Sequence, residues 1–113
     1  MIRTTIVSAL GLTLARAWVG PGAAEEPAQV LDGARLYAER TCIACHGKDA
    51  KTPILPIYPK LAGQNAAYAA QQMKDIKSGA RNNGMTAAMK GVMHLVNDEE
   101  MAAIAKYLSG LAP

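Results

Sequence analysis

Phenylalanine is absent from this chain, tryptophan occurs once and tyrosine four times in 113 residues. A domain this small buries a modest share of its surface even with a full set of large side chains. With so few of them, the core needs added bulk or a staple. Cysteine is almost as scarce: Cys42 and Cys45 are the only two, which excludes a multiply cross-linked scaffold. No apolar run approaches the ~20 residues that a membrane-spanning helix needs. No charge sign dominates strongly, and no arginine-rich or aromatic-interleaved basic stretch exists, so no nucleic-acid partner is indicated. Period-two strand patterns, internal repeats and low-complexity tracts are also missing. What remains possible is one all-α domain.

The chain opens on a segment of a different character. Met1 to Arg3 is short and basic, Ile6 to Ala15 is apolar and uncharged, and the small residues Gly22 and Ala24 suit processing after Ala24. This is the pattern of a secretory signal peptide over residues 1–24, with a domain over 25–113. Ala15 and Ala17 offer an earlier cleavage after Ala17. A retained membrane anchor is disfavoured because the apolar run is short. Arg3 and Arg16 leave with the leader, so ten basic side chains face nine acidic ones in the remainder. The basic balance of the whole chain is therefore no argument about partners. Export to the periplasm is expected, and there two free thiols would ordinarily oxidise to a disulfide. Something must use that disulfide or consume the thiols.

Helical signals follow. From about Ala28 to Arg40, Leu31, Ala34 and Ala38 are spaced as one face, with Val30 and Tyr37 flanking and a costly Gly33 inside. Residues 47–63 form a loop, because Pro53, Pro56 and Pro59 forbid a continuous helix. A helix is expected from about Asn65 to Ser78, stopped by Gly79, with Ala69, Met73 and Ile76 on one side. Arg81-Asn82-Asn83-Gly84 reads as a turn, and Met85 to Leu95 as a methionine-rich stretch with room for a short helical turn. The last helix is best marked. Asn97 caps it, Glu100 stands where a capping-box acid stands, and Val96 and Met101 are placed for a hydrophobic staple. Met101, Ile104 and Leu108 make its stripe, and Gly110 ends it.

The chemistry lies in Cys42-Ile43-Ala44-Cys45-His46. A bare C-x-x-C admits a dithiol, half a zinc site or a disulfide. The histidine that follows makes it the attachment signature of a c-type haem. Two cysteines three apart reach the two vinyl groups on one porphyrin edge and form thioethers, and the next residue comes under the ring with its imidazole toward the iron. A structural zinc wants four ligands, and only His94 would be left to complete the set. A thioredoxin-like dithiol expects βαβ surroundings. For the second axial position, Met85, Met89 and Met93 all lie in the irregular stretch after the turn, and His94 is a further alternative. Met73 and Met101 fall on apolar helix faces, where core filling is their default role.

From about Val30 to Leu108 the chain resembles a class I cytochrome c, most closely the small periplasmic bacterial ones and single halves of the two-haem ones. The resemblance rests on Cys42 to Gly47, Pro59-Lys60-Leu61-Ala62-Gly63-Gln64, Ala66-Ala67-Tyr68, Lys74 to Gly79 and Asn97 to Glu100. It implies three to five short helices around one covalent haem c, with thioethers at Cys42 and Cys45 and iron ligated by His46. The family's ligand methionine stands eight residues before the cap of the last helix, which is Met89 here. The family proline corresponds to Pro59, whose carbonyl would accept the other ring N–H of His46. The family's crossing of first and last helices at a small residue corresponds to Gly33, Tyr37 and Tyr107. One departure is Gly84 and Ala88 where relatives often carry proline near the methionine.

The function implied is single-electron carriage rather than catalysis, by a monomer that meets oxidase, reductase or dehydrogenase partners transiently. Lys48, Lys51, Lys60 and Lys90 are expected near the haem edge, where they would steer acidic partners. A gas-sensing haem protein, in which Met89 dissociates, is the rival of a different class. No nucleophile–base or carboxylate pair is placed by any motif.

Overall fold

A computed structural model describes residues 30–113, and of the preceding stretch only Gly11 and Gly20. Apart from those two glycines, the expected leader over 1–24 lies outside the described residues. Among the described residues there are five helices and no strand: α1 Gly33–Glu39, α2 Cys42–His46, α3 Ala66–Ser78, α4 Thr86–Met93 and α5 Asp98–Ser109. Helices α1 and α3 both pack on α5, α2 packs on α1, and α4 packs on α3 alone among the helices. No described helix is long and apolar enough to cross a membrane.

The first helix begins later than its periodicity suggests. Asp32 caps it, accepting a hydrogen bond from the Arg35 N–H at 3.2 Å, so Gly33 is the first helical residue rather than an interior one. There a glycine forfeits little helix propensity. The buried face also differs from the expected one. Leu36 and Tyr37 are buried, whereas Leu31, Ala34 and Ala38 are exposed. The larger pair sets the helix's rotation, because burial scales with apolar area and alanines supply little.

The reason for Gly33 is steric. A Cβ there would stand 2.7 Å from the Tyr107 Cβ and closer still to the Ala103 carbonyl. Tyr37 and Tyr107 pack tilted beside the crossing, ring centroids 5.8 Å apart. A two-pronged ion pair closes the junction: Arg40 donates from Nε and Nη2 to both carboxylate oxygens of Glu100, at 3.0 and 2.8 Å.

Two helices follow their signals closely. In α3, Asn65 accepts from the Tyr68 N–H at 2.9 Å, Met73 and Ile76 are buried, and Gly79 ends the helix in the left-handed region. In α5, Asn97 accepts from the Glu100 N–H at 2.8 Å. The capping box is only half made, however, since the Glu100 carboxylate goes to Arg40 instead of the Asn97 N–H. Met101, Ile104 and Leu108 are buried as the stripe implies, with Ala105 and Val96 beside them. The methionine-rich stretch is more regular than a single turn: α4 runs eight residues, though its N-cap, Met85, provides no side-chain bond.

Candidate cofactor site

The five residues of the cysteine motif are themselves a helical turn, α2. Its start is strained: Thr41 takes φ 65°, a left-handed conformation that non-glycine residues seldom adopt. Its end is set by Gly47, at φ 85°, where a Cβ would run into the Thr52 backbone. The buried Tyr37 hydroxyl donates to the Gly47 carbonyl at 2.7 Å. Burial raises the Tyr37 hydroxyl's pKa, with Cys42, Tyr107 and Asp49 adding to the rise, so it stays a donor.

The loop after α2 is fastened at several points. Asp49 accepts from the N–H groups of Lys51 and Thr52 at 2.8 and 2.9 Å, and these bonds lower its pKa. The Ile54 N–H donates to the Cys45 carbonyl at 3.0 Å. Ala50, fully buried at φ 57°, offers its carbonyl to the N–H groups of Leu61 and Ala62. The returning strand of the loop thereby brings Pro59 to His46. The distance from His46 Nδ1 to the Pro59 carbonyl oxygen is 3.0 Å. A carbonyl can only accept, so Nδ1 carries the proton and Nε2 is left as the nitrogen available to a metal.

His46 is buried and forms one wall of a cavity of about 430 Å³, within the range of roughly 300–1,000 Å³ that encloses ligands of cofactor size. Cys42 and Cys45 stand on the same wall, both as free thiols. Burial pushes the Cys42 thiol up to about 11. A dithiol exchanger instead needs an attacking cysteine with a depressed value. The remaining walls come from α3, α4, α5, the 57–64 loop and the turn before α4, and are largely apolar.

Met85, Met89 and Met93 all line this cavity, and His94 does not. Met85 is 47% exposed, Met93 is sealed in the core at 1%, and Met89 is half-buried between them. Of the four lysines expected near the haem edge, Lys60 lines the cavity and Lys48, Lys51 and Lys90 do not. The Lys90 ammonium instead lies beside Gly79, at the C-terminal end of α3, where a cation complements the helix dipole. Two features escaped the sequence reading. The Tyr37–Gly47 bond joins residues ten apart through a side chain read only as packing. Arg81 stands on the cavity wall, where it had been assigned only to a turn.

These residues fit a covalent haem: paired thiols, a buried imidazole with one nitrogen committed to a carbonyl, and an apolar hollow beside them. The fold and site together define a small all-helical c-haem protein. The chain belongs to the cytochrome c family, whose model, described as Cytochrome c, matches residues 30–112. It is 42% identical over 69 residues to cytochrome c-554(548) of Halomonas halodenitrificans, covering 61% of this chain and 82% of that one. It is 36% identical over 91 residues to the thiosulfate dehydrogenase electron acceptor of Stutzerimonas stutzeri, covering 74% of this chain and 41% of the relative. The crystal structure of reduced recombinant cytochrome c4 from Pseudomonas stutzeri superposes with a TM-score of 0.61 at 33% identity, over 71% of this chain and 46% of that one. The chain thus spans less than half the length of these last two. It is a haem-based electron carrier with haem c attached through a C-x-x-C-H motif.

Proposed function

We propose that this protein is an exported, periplasmic carrier of single electrons, in which His46 and Met89 would ligate the haem iron. Residues 1–24 would serve as its secretory leader, and one haem c would be held by thioethers to Cys42 and Cys45. The observation that carries the reading is the His46–Pro59 bond beside the cavity that holds both cysteines. That bond fixes the imidazole's tautomer and orientation and makes Nε2 a better donor to a metal. Haem bound there supplies a one-electron iron couple.

Met89 is favoured over its neighbours by placement. Met93 is already part of the packed core, and Met85 stands at the helix's exposed start. His94 is exposed and away from the cavity wall. A thioether ligand paired with histidine raises the potential and leaves no vacant position for a substrate, which suits a carrier. The partners proposed are redox proteins met transiently, a dehydrogenase as donor and an oxidase or reductase as acceptor. The first of these is supported by the relative named as an acceptor for thiosulfate dehydrogenase.

The test is a set of visible spectra on the protein matured with its own leader. Sharp low-spin bands on reduction, and a weak near-red sulfur-to-iron band when oxidised, are expected for the parent. Met89→Ala should lose the near-red band, whereas Met85→Ala and His94→Ala keep it. Retention of that band in Met89→Ala would move the ligand to Met85 or Met93.

A further inference from the structure

The walls of the cavity carry an imbalance of charge. No aspartate or glutamate lines it, while two cations do, Arg81 and Lys60. Haem brings two carboxylates, its propionates, into a site whose only protein charges are positive. The two cations are not equivalent. The Arg81 main chain is tied down, its N–H donating to the Asp75 carbonyl at 3.0 Å. Its guanidinium is oriented as well: Nη1 donates to the Gln72 side-chain oxygen at 3.0 Å. No carboxylate lies within ion-pairing distance of it among the described residues, where Arg35 and Arg40 each have one. Four of its five N–H donors therefore have no side-chain partner. A guanidinium matches a carboxylate with two parallel bonds, which the point charge of a lysine does not.

We infer that Arg81, oriented by Gln72, pairs with one haem propionate and thereby holds up the reduction potential of the iron. This rests on the cavity being the haem's, and is independent of whether Met89 is the sixth ligand. Removing the guanidinium takes a positive charge from the site and leaves a propionate unmatched. Both changes favour the oxidised iron, which carries one more positive charge. Gln72 is a positioning residue in this scheme, acting through Arg81.

The experiment is a redox titration of the purified holoprotein and of Arg81→Gln, Arg81→Lys, Gln72→Ala and Lys60→Gln, each between pH 5 and 9 with visible spectra alongside. Arg81→Gln is expected to keep the parent's low-spin spectrum. At a fixed ambient potential its oxidised-to-reduced ratio should rise several-fold and approach tenfold, tenfold being about 59 mV for one electron. Arg81→Lys should recover at least half of that shift, and Gln72→Ala should show a smaller shift of the same sign. The pH dependence of the potential should also move upward in Arg81→Gln, because an unpaired propionate holds its proton more tightly. The other titratable side chains on the cavity wall are Tyr37, Tyr58, Tyr68, Lys60, Cys42, Cys45 and His46. Tyrosine and lysine side chains as a class titrate above that window. Cys42 and Cys45 are thioethers and His46 is metal-bound in the holoprotein. An unchanged potential and pH profile in Arg81→Gln would overturn the inference, as would a larger shift in Lys60→Gln. Should Arg81→Gln fail to mature, a parent-like potential in both Arg81→Lys and Gln72→Ala, with no upward move in pH dependence, would count against it.

Discussion

The junction of α1 with α5 and the pair α3–α4 are two differently built halves. At the junction the protein is complete in itself. Gly33 lets the backbones touch, Tyr37 and Tyr107 pack beside the contact, Arg40 and Glu100 close it, and Met101, Ile104 and Leu108 are at most 2% exposed. Around α4 it is not. That helix lacks a side-chain cap, packs on α3 alone, and turns its methionines toward a hollow. A chain without phenylalanine has enough bulk to finish one of these regions by itself. The cofactor finishes the other.

The largest effect should come from withholding the haem. A Cys42→Ser/Cys45→Ser chain cannot form the thioethers, and α4 then faces an empty cavity. Amide hydrogen exchange should show the segment around α4, residues 80–95, exchanging almost without protection while α1 and α5 retain most of theirs. Stability as a whole should fall by a large part of the ~5–15 kcal/mol typical of a domain. Equal protection of α4 and α5 in this variant would break the comparison.

Two glycine substitutions sharpen it, and they should have opposite signs. Gly33→Ala puts a methyl group against the Ala103 backbone, which cannot move aside as a flexible side chain can. Overpacking of that kind costs about 1–3 kcal/mol. Gly91 lies inside α4 with no atom within 4 Å of its would-be Cβ. Gly91→Ala should therefore stabilise by about 0.4–1 kcal/mol, through the unfolded chain and helix propensity. Denaturant midpoints of the two holoprotein variants measure both. A loss in Gly91→Ala comparable to that in Gly33→Ala would mean that α4 is as tightly enclosed as the junction.

The same contrast explains what could be read from the sequence. Helix α5 was legible because its cap, first-turn acids, stripe and terminating glycine are all local, and the haem motif because its chemistry sits in five consecutive residues. Helix α3 was legible for the same reason, from Asn65 to Gly79. The start of α1 was misjudged because Leu31, Ala34 and Ala38 fall at helical spacing and imitate a buried face, while the cap at Asp32 is one unremarkable residue. Helix α2 is too short for periodicity to reveal. The destination of the Glu100 carboxylate depends on a partner sixty positions away. Nothing local separates a capping-box glutamate from one drawn off by Arg40. Arg81 carried no signal beyond its place in a polar turn, since its significance comes from what shares the cavity wall with it.

The smallest expected effect isolates charge from packing at the junction. The hydrogen-bonded Arg40 guanidinium, opposed by partial burial, holds the Glu100 carboxyl below the usual glutamate range. A carboxyl with a depressed value in the folded state contributes stability that is present above its unfolded value, about 4.3, and is lost as pH falls through the folded value. Glu100→Gln keeps the side chain's shape and removes the charge. Its melting temperature should lie slightly below the parent's at neutral pH, and the gap should close as the parent's own Glu100 becomes protonated in acid. Salt should narrow the gap at neutral pH, since the Arg40 side chain is about one-third exposed. A gap that persists unchanged into acid would instead assign the contribution of Glu100 to packing and hydrogen-bond geometry. The junction would then be held by shape alone, which would strengthen its contrast with the adjoining cavity, whose apolar walls carry two cations.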